Sequence, residues 1–475
     1  MPSSLSAPRL GILAQKEVST MDGHPIWITE ERTAYPSLRG RQQAEAVVIG
    51  GGLCGVTTAY LMQLGGLNVM LLEADRLGHG ASGHTMAKVT VQHGLIYSRL
   101  KKQWGMEVAQ AYAISQTGAL SAMAGLVEEK HISCSWTWQD ASLCALNHEE
   151  ELLLEAEEEA AQEAGVNASL KAGSECPIPS RKILTVQAQA MFDPYAYLYA
   201  LADAFTLLGG RIHEDSRVLA INTQSVSTET GSVHSPFVVI ATHFPIINFP
   251  GWYFLRARQQ RSHVMALEGV PSFQGMYLHI AEGGFSLRSH GGLTLLGAFD
   301  YTCGTHVDTD HGELLRRKAA TFFPDAHPIA AWHSQDLISA DGLPFIGPYS
   351  KRTPNHFVAA GFSKWGMTNS MAAAQAISAR ILGEPLPESK IFDPARTIKH
   401  SVFPVLSIFA KTSASYLAGL HRKSAPRCPH MGCKLKYMDA TASWDCPCHG
   451  SRFDSIGRIK NEPAVRPASI KNKNR

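Results

Sequence analysis

Glu45-Ala46-Val47-Val48-Ile49-Gly50-Gly51-Gly52-Leu53-Cys54-Gly55 opens on a short apolar run and closes in a glycine turn. A helical pattern follows from Val56 to Leu64, and a second apolar run, Val69-Met70-Leu71-Leu72, stops at Glu73. This is a strand–turn–helix–strand unit with G-x-G-x-x-G at the turn and an acid about 20 residues further on. Gly50 permits the tight turn, and Gly52 lets the backbone approach a pyrophosphate at the helix N-terminus. Gly55 lets helix and strand close up, and the Glu73 carboxylate accepts from ribose hydroxyls. The unit predicts a dinucleotide-binding α/β domain without choosing between flavin and nicotinamide.

The rest of the chain is long enough for two or three cores. Its 475 residues are 45% hydrophobic and 18% charged, ordinary values for a globular protein. No apolar run is long enough to span a membrane. Met1 to Thr20 is Ser-rich but has no apolar centre, so it does not read as a secretory signal; it leaves open a weak organelle-targeting leader and a start at Met1 or Met21, and a cytoplasmic location is the expectation. Charge is uneven. From His421 onward twelve Lys/Arg stand against four Asp/Glu, so that tail is +8 and the remainder −6. Such a tail is a solvated surface, or a docking face for an acidic partner or for the protein's own larger part. The Glu-rich stretch Glu149 to Gly165 reads as a surface helix with a solvated acidic face. Ser-His-Asp sets, P-loops and nucleic-acid modules are absent from the sequence.

Four of the nine cysteines fall between Cys428 and Cys448. They sit in Cys428-Pro429-His430-Met431-Gly432-Cys433 and in Cys446-Pro447-Cys448-His449-Gly450-Ser451-Arg452-Phe453. The pattern is C-x-H, fifteen residues, then C-x-x-H. A Rieske [2Fe–2S] cluster takes two thiolates on one iron and two neutral imidazoles on the other. Cys428 and Cys446 suit the first pair, His430 and His449 the second. A structural zinc ion would accept the same four ligands, though it leaves the second cysteine pair without a role.

Further motifs carry a resemblance. Gly80-Ala81-Ser82-Gly83-His84-Thr85 resembles the flavin-side loop of the D-amino-acid-oxidase-like FAD enzymes. Phe192-Asp193-Pro194-Tyr195, Glu214 to Val218, and Phe237-Val238-Val239-Ile240-Ala241-Thr242 are similar to later segments of that family. So are Asp341 to Gly347 and Gly361 to Thr368. The resemblance implies FAD, with Val218 facing the adenine, Ala241 at the second FAD strand, and Gly366 and Met367 at a helix start that faces the flavin. It also implies oxidation of a C–H bond next to nitrogen in an amine or amino acid. Lys88, His84 and one of Arg256, Arg258 and Arg261 are the candidate catalytic residues, Arg261 as a carboxylate clamp. His243 is a second flavin-adjacent histidine. Non-covalent FAD is expected, with Cys303 the only loose candidate for a covalent link.

The C-terminal loops resemble the respiratory and photosynthetic type of Rieske protein. That implies a Cys433–Cys448 disulfide and a Ser451 hydroxyl donating to a bridging sulfide, while Phe453 replaces a tyrosine that would donate to a cysteine sulfur. A Rieske domain of that type has several strands ahead of its first ligand loop. Here Ser401 to Leu420 reads as a helix or tether, so the base looks shortened and the cluster is expected to lean on the FAD domain, to be labile, or to be lost.

The fold class is then a Rossmann-like α/β FAD domain with an α+β substrate domain, plus a small all-β Rieske segment. The expected division is 26–396 for the flavoprotein, 397–427 for a tether and 428–475 for the Rieske segment. Within the flavoprotein, 43–94, 183–250 and 333–396 make the FAD part, 95–182 and 251–332 the substrate part. Electrons are expected to leave FAD through the cluster to a one-electron acceptor, an acidic protein suiting the basic tail. The alternatives are an oxidase that reduces O₂ directly and a relay module without a substrate of its own.

Overall fold

A computed structural model describes residues 23–28, 32–305, 309–396, 402–420 and 424–470. The start at Met1 or Met21, residues 397–401 and 421–423 of the tether, and residues 471–475 lie outside these.

Ala46–Ile49 is buried along its whole length, as a run of four apolar residues requires of a strand covered on both faces. It lies inside a six-stranded sheet, between the parallel strands Val69–Leu72 and Phe237–Ile240. Thr353–Ala360 continues the parallel set beyond Phe237–Ile240, and Phe345–Ser350 closes that edge antiparallel. The registers bring four strand ends to one edge, where the chain runs on into Gly50, Glu73, Ala241 and Gly361. Ligands of open α/β sheets bind at this edge. Helices Leu53–Leu64 and Gly366–Ile381 pack on each other beside it.

The second domain is built on a nine-stranded sheet. At one of its edges the long antiparallel strands Ala257–Glu268 and His327–Ser339 pair along almost their full length. Lys182–Met191 also runs in this sheet, as does His327–Ser339. The sequence reading gives those two segments wholly or in large part to the FAD part. Both are too long to end at the domain border and carry the chain across it.

The acidic stretch forms helix His148–Glu163, with Leu154, Ala160 and Ala161 inward. Its acidic face is not wholly solvated, because Glu157 is fully buried. Its carboxylate accepts from the backbone N–H groups of Tyr97 (3.0 Å) and Ser98 (2.9 Å), and so caps helix Ile96–Trp104.

The C-terminal segment carries a four-stranded antiparallel sheet: Lys436–Met438, Ser443–Asp445, Arg452–Phe453 and Ile459–Asn461. All four strands follow the first ligand loop. What precedes that loop, among the described residues, is helix Val402–Leu420. The base is short, as the sequence reading expects, and the flavoprotein stands in for it. Gln259 on one long strand donates to the Glu462 carbonyl (2.8 Å), and Gln335 on the other donates to the Gly450 carbonyl (2.9 Å).

Candidate flavin and iron–sulfur sites

At the sheet edge the glycines form a cradle that side chains would fill. Gly50 has φ +112°, and a Cβ there would stand 2.4 Å from the Ala241 carbonyl oxygen. A Cβ on Gly55 would stand 1.8 Å from the Gly50 carbonyl oxygen, inside any contact distance. Gly52 faces Ser82, whose hydroxyl accepts from Leu53 N–H (2.9 Å) and fixes the helix start. Glu73 accepts from Gly51 N–H (2.6 Å) and Asp75 N–H (2.8 Å). Burial nevertheless pushes its carboxyl up to about 7, outweighing these two hydrogen bonds and the pull of Arg217.

Gly50, Gly51, Gly52, Glu73 and Ser82 line a cavity of about 650 Å³ that also takes in Val218, Ala241, Gly366 and Met367, while Gly55 lies behind it in the helix–strand contact. Helix Gly366–Ile381 opens onto it with no acid in its first turn. Lys88 and His84 line the same cavity. Burial drives the Lys88 ammonium down to about 7. Its Nζ donates to the Tyr277 carbonyl (3.2 Å) and to the Ser286 hydroxyl. His84 is lowered by burial and donates from Nδ1 to the Gly80 carbonyl (3.0 Å), which ties the loop. His243, with φ +60°, accepts from Leu337 N–H (3.2 Å) and holds its own turn.

Three residues unremarked in the sequence join this wall. Asp336 is raised by burial to about 6. Lys364 is ion-paired with Asp300, and both Ser363 and Lys364 take positive φ, +51° and +73°. Non-glycine residues held there mark a constrained loop. Lys364 lies inside the quoted Gly361 to Thr368 motif, so its position was readable; its partner Asp300 was not.

Arg261 is not a substrate clamp. Its side chain is fully buried and bonded to Asp445 of the Rieske segment (2.7 Å), to Gln335 (3.2 Å) and to Tyr301 (3.1 Å). Burial disfavours its charge, but Asp445 outweighs that and keeps it protonated. Arg256 packs over the Phe345 ring (4.6 Å), and neither it nor Arg258 lines the cavity. Cys303 is also outside the cavity, buried beside Gly450.

The two cluster loops share one backbone pattern. Cys428 N–H bonds the Cys433 carbonyl (2.8 Å) and Gly432 N–H the Cys428 carbonyl (2.9 Å). Cys446 N–H bonds the Ser451 carbonyl (2.8 Å) and Gly450 N–H the Cys446 carbonyl (2.9 Å). Gly432 and Gly450 supply the left-handed turns, φ +78° and +82°. A Cys433–Cys448 disulfide ties the loops.

Inside the loops Cys428 and Cys446 are buried, and the His430 and His449 rings face each other at 5.0 Å and 86°. Contact with Cys446, the His430 N–H and the Ser451 hydroxyl lower Cys428 to about 7 against desolvation, while the same contact and burial push Cys446 well up, so the pair holds a proton between them. His430 Nδ1 and His449 Nε2 are buried without a hydrogen-bond partner. Thiolate-stabilising donors beside two orphaned imidazole nitrogens fit a two-Cys, two-His cluster. His430 donates from Nε2 to Asn248 Oδ1 (2.6 Å), leaving the lone pair on Nδ1. His449 packs edge-on against Phe254 (5.6 Å).

A two-cofactor oxidoreductase is the class that this fold and these sites define. The family profile "FAD dependent oxidoreductase" matches residues 45–380, and "Rieske [2Fe-2S] domain" matches 416–472. The chain belongs to the FAD-dependent oxidoreductase family and carries a C-terminal Rieske domain, so it binds FAD and a [2Fe–2S] cluster. The match decides between cluster and zinc. A relative from Bacillus subtilis (strain 168), a putative Rieske 2Fe-2S iron-sulfur protein named YhfW, is 31% identical over 91% of this chain and 94% of its own. Among solved structures, glycine oxidase from Geobacillus kaustophilus superposes with a TM-score of 0.64 at 18% identity, over 75% of this chain and all of the other. L-proline dehydrogenase from P. horikoshii gives 0.63 at 19%, over 76% and 98%. These two show the fold. No helix among the described residues is long and apolar enough to cross a membrane.

Proposed function

We propose that the chain is a dehydrogenase for a small amine or amino acid and delivers the electrons singly to a protein acceptor. FAD supplies two-electron acceptance from the C–H bond beside nitrogen, and the [2Fe–2S] cluster supplies one-electron output. Gln335 carries the reading. It lines the flavin cavity and donates to the Gly450 carbonyl, one residue from the cluster ligand His449, so a single side chain spans the two sites.

Lys88 has the acid–base character the substrate requires. An alkylammonium must lose a proton before its C–H bond is oxidised, and an amine poised near 7 in a buried wall can take it. Asp336 and the Lys364–Asp300 pair give the same wall groups of both signs for a polar or zwitterionic substrate. The basic excess of the Rieske segment is divided. Arg452 is buried and turned toward His333 of the flavoprotein, whereas Arg427, Arg458 and Arg466 remain exposed to attract an acidic acceptor.

His430→Ala tests the relay. The variant is expected to lose the cluster's EPR signal and to keep FAD. Its flavin should still bleach with substrate while turnover with a one-electron acceptor collapses. Full turnover in the variant, or stoichiometric hydrogen peroxide from the wild type, would instead identify an O₂-using oxidase.

A further inference from the structure

Residues from the Rieske segment lie in the wall of the flavin cavity. Ile459, Lys460, Asn461, Glu462 and Val465 line the same space as Gly50, Gly52 and Glu73. We infer that Glu462 is an FAD-binding residue, placed beside Glu73 at the adenosine end, and that FAD binding and seating of the Rieske segment are therefore coupled.

The placement rests on contacts that hold this stretch from both sides. The Glu462 carbonyl accepts from Gln259 of the flavoprotein (2.8 Å), and Ala464 N–H bonds the Ser451 hydroxyl of the second cluster loop (3.1 Å). Held by these anchors, Glu462 is partly buried and lines the cavity. Glu73 and Glu462 are close enough for Glu462 to make ionisation of Glu73 harder, and Arg217 acts on both in the opposite sense. Glu73, Glu462 and Arg217 line one cavity, and the Glu73 carboxylate, which takes two backbone N–H groups, still has lone pairs to offer a ligand. Adenosine provides donors in its ribose hydroxyls and its exocyclic amine. Glu73 is the acid of the dinucleotide fingerprint; Glu462 is a second one, 389 positions later, and comes from the other cofactor's domain.

The coupling has to be reciprocal, because each cofactor stabilises the same closed arrangement. It holds whichever acceptor takes the electrons, so it stands apart from the relay and is read without turnover. Holoenzyme is diluted and the release of FAD followed by the rise of free-flavin fluorescence. Glu462→Ala is expected to release FAD at least tenfold faster (about one factor of ten for a lost charged hydrogen bond), with Glu462→Gln between it and the wild type. Should Glu462→Ala lose the [2Fe–2S] EPR signal, the isosteric Gln variant decides. Release within twofold of the wild type in variants that keep the EPR signal would overturn the assignment. In the wild type, excess FAD should slow extraction of iron by a chelator, and the Gln variant should show less slowing. Extraction indifferent to FAD would overturn the coupling.

Discussion

The two cofactor sites are built in opposite ways. The flavin cradle is assembled from strand ends far apart in sequence, at Gly50, Glu73, Ala241 and Gly361, and the sheet that positions them lies within one domain. The cluster cradle is local, two short loops with one hydrogen-bond pattern and a disulfide between them, yet its support comes from another domain. Global construction fixes the frame of the first site from one sheet, with the Rieske segment adding only part of its wall. Local construction makes the second easy to recognise and dependent on its host.

The sharpest way to break that contrast is at the Arg261–Asp445 pair, both members of which are fully buried. Asp445→Ala leaves a guanidinium in the interface without its acid and should cost about 3–5 kcal/mol. Chemical denaturation measures it, and adding Arg261→Met should recover part of the loss; additive losses would mean that the pair does not carry the dock. Next in size is Glu73→Ala, which should weaken FAD binding by roughly 1–3 kcal/mol through lost hydrogen bonds while the cluster's EPR spectrum stays as it is. An altered spectrum would show that the loss reaches the cluster's own surroundings and not only the seating of its segment.

Lys88 gives a smaller effect with a definite sign. Burial lowers its pKa from 10.5 in the unfolded chain to about 7 in the folded one. Between those values the unfolded chain holds the extra proton, so this group makes stability rise with pH across that window. Lys88→Met should flatten the rise, seen as a shallower dependence of the denaturation midpoint on pH; an unchanged slope would place the lysine in contact with water. The finest adjustment is at the cluster. Phe453 is fully buried beside the loops and cannot donate, whereas Ser451 can. Phe453→Tyr should raise the reduction potential and Ser451→Ala lower it, by redox titration. If neither variant shifts, the surroundings of the sulfurs are other than they look.

What was legible in the sequence follows from the same contrast. Gly50, Gly52, Gly55 and Glu73 are read from spacing because a tight turn and a ribose contact constrain residue type locally. The cluster ligands are read for the same reason. Arg261 was misassigned because a charge in a strand does not reveal its partner, and Asp445 is 184 positions away. Glu157 looked like one more acid on a solvated helix; its burial depends on the start of a neighbouring helix. The missing base of the Rieske segment was visible as an absence, but Gln259 and Gln335, which replace it, sit in strands whose pattern reports only which face is inward.

The buried arginine has a consequence for how the chain comes into being. Synthesis delivers Arg261 well before Asp445, so the flavoprotein strands emerge with a cation that has no acid to meet. Until the last stretch of the polypeptide leaves the ribosome, the long strand Ala257–Glu268 cannot bury that side chain without a large penalty. Final burial of Arg261 therefore waits on Asp445, which ties the last packing step of that strand to the far end of the chain.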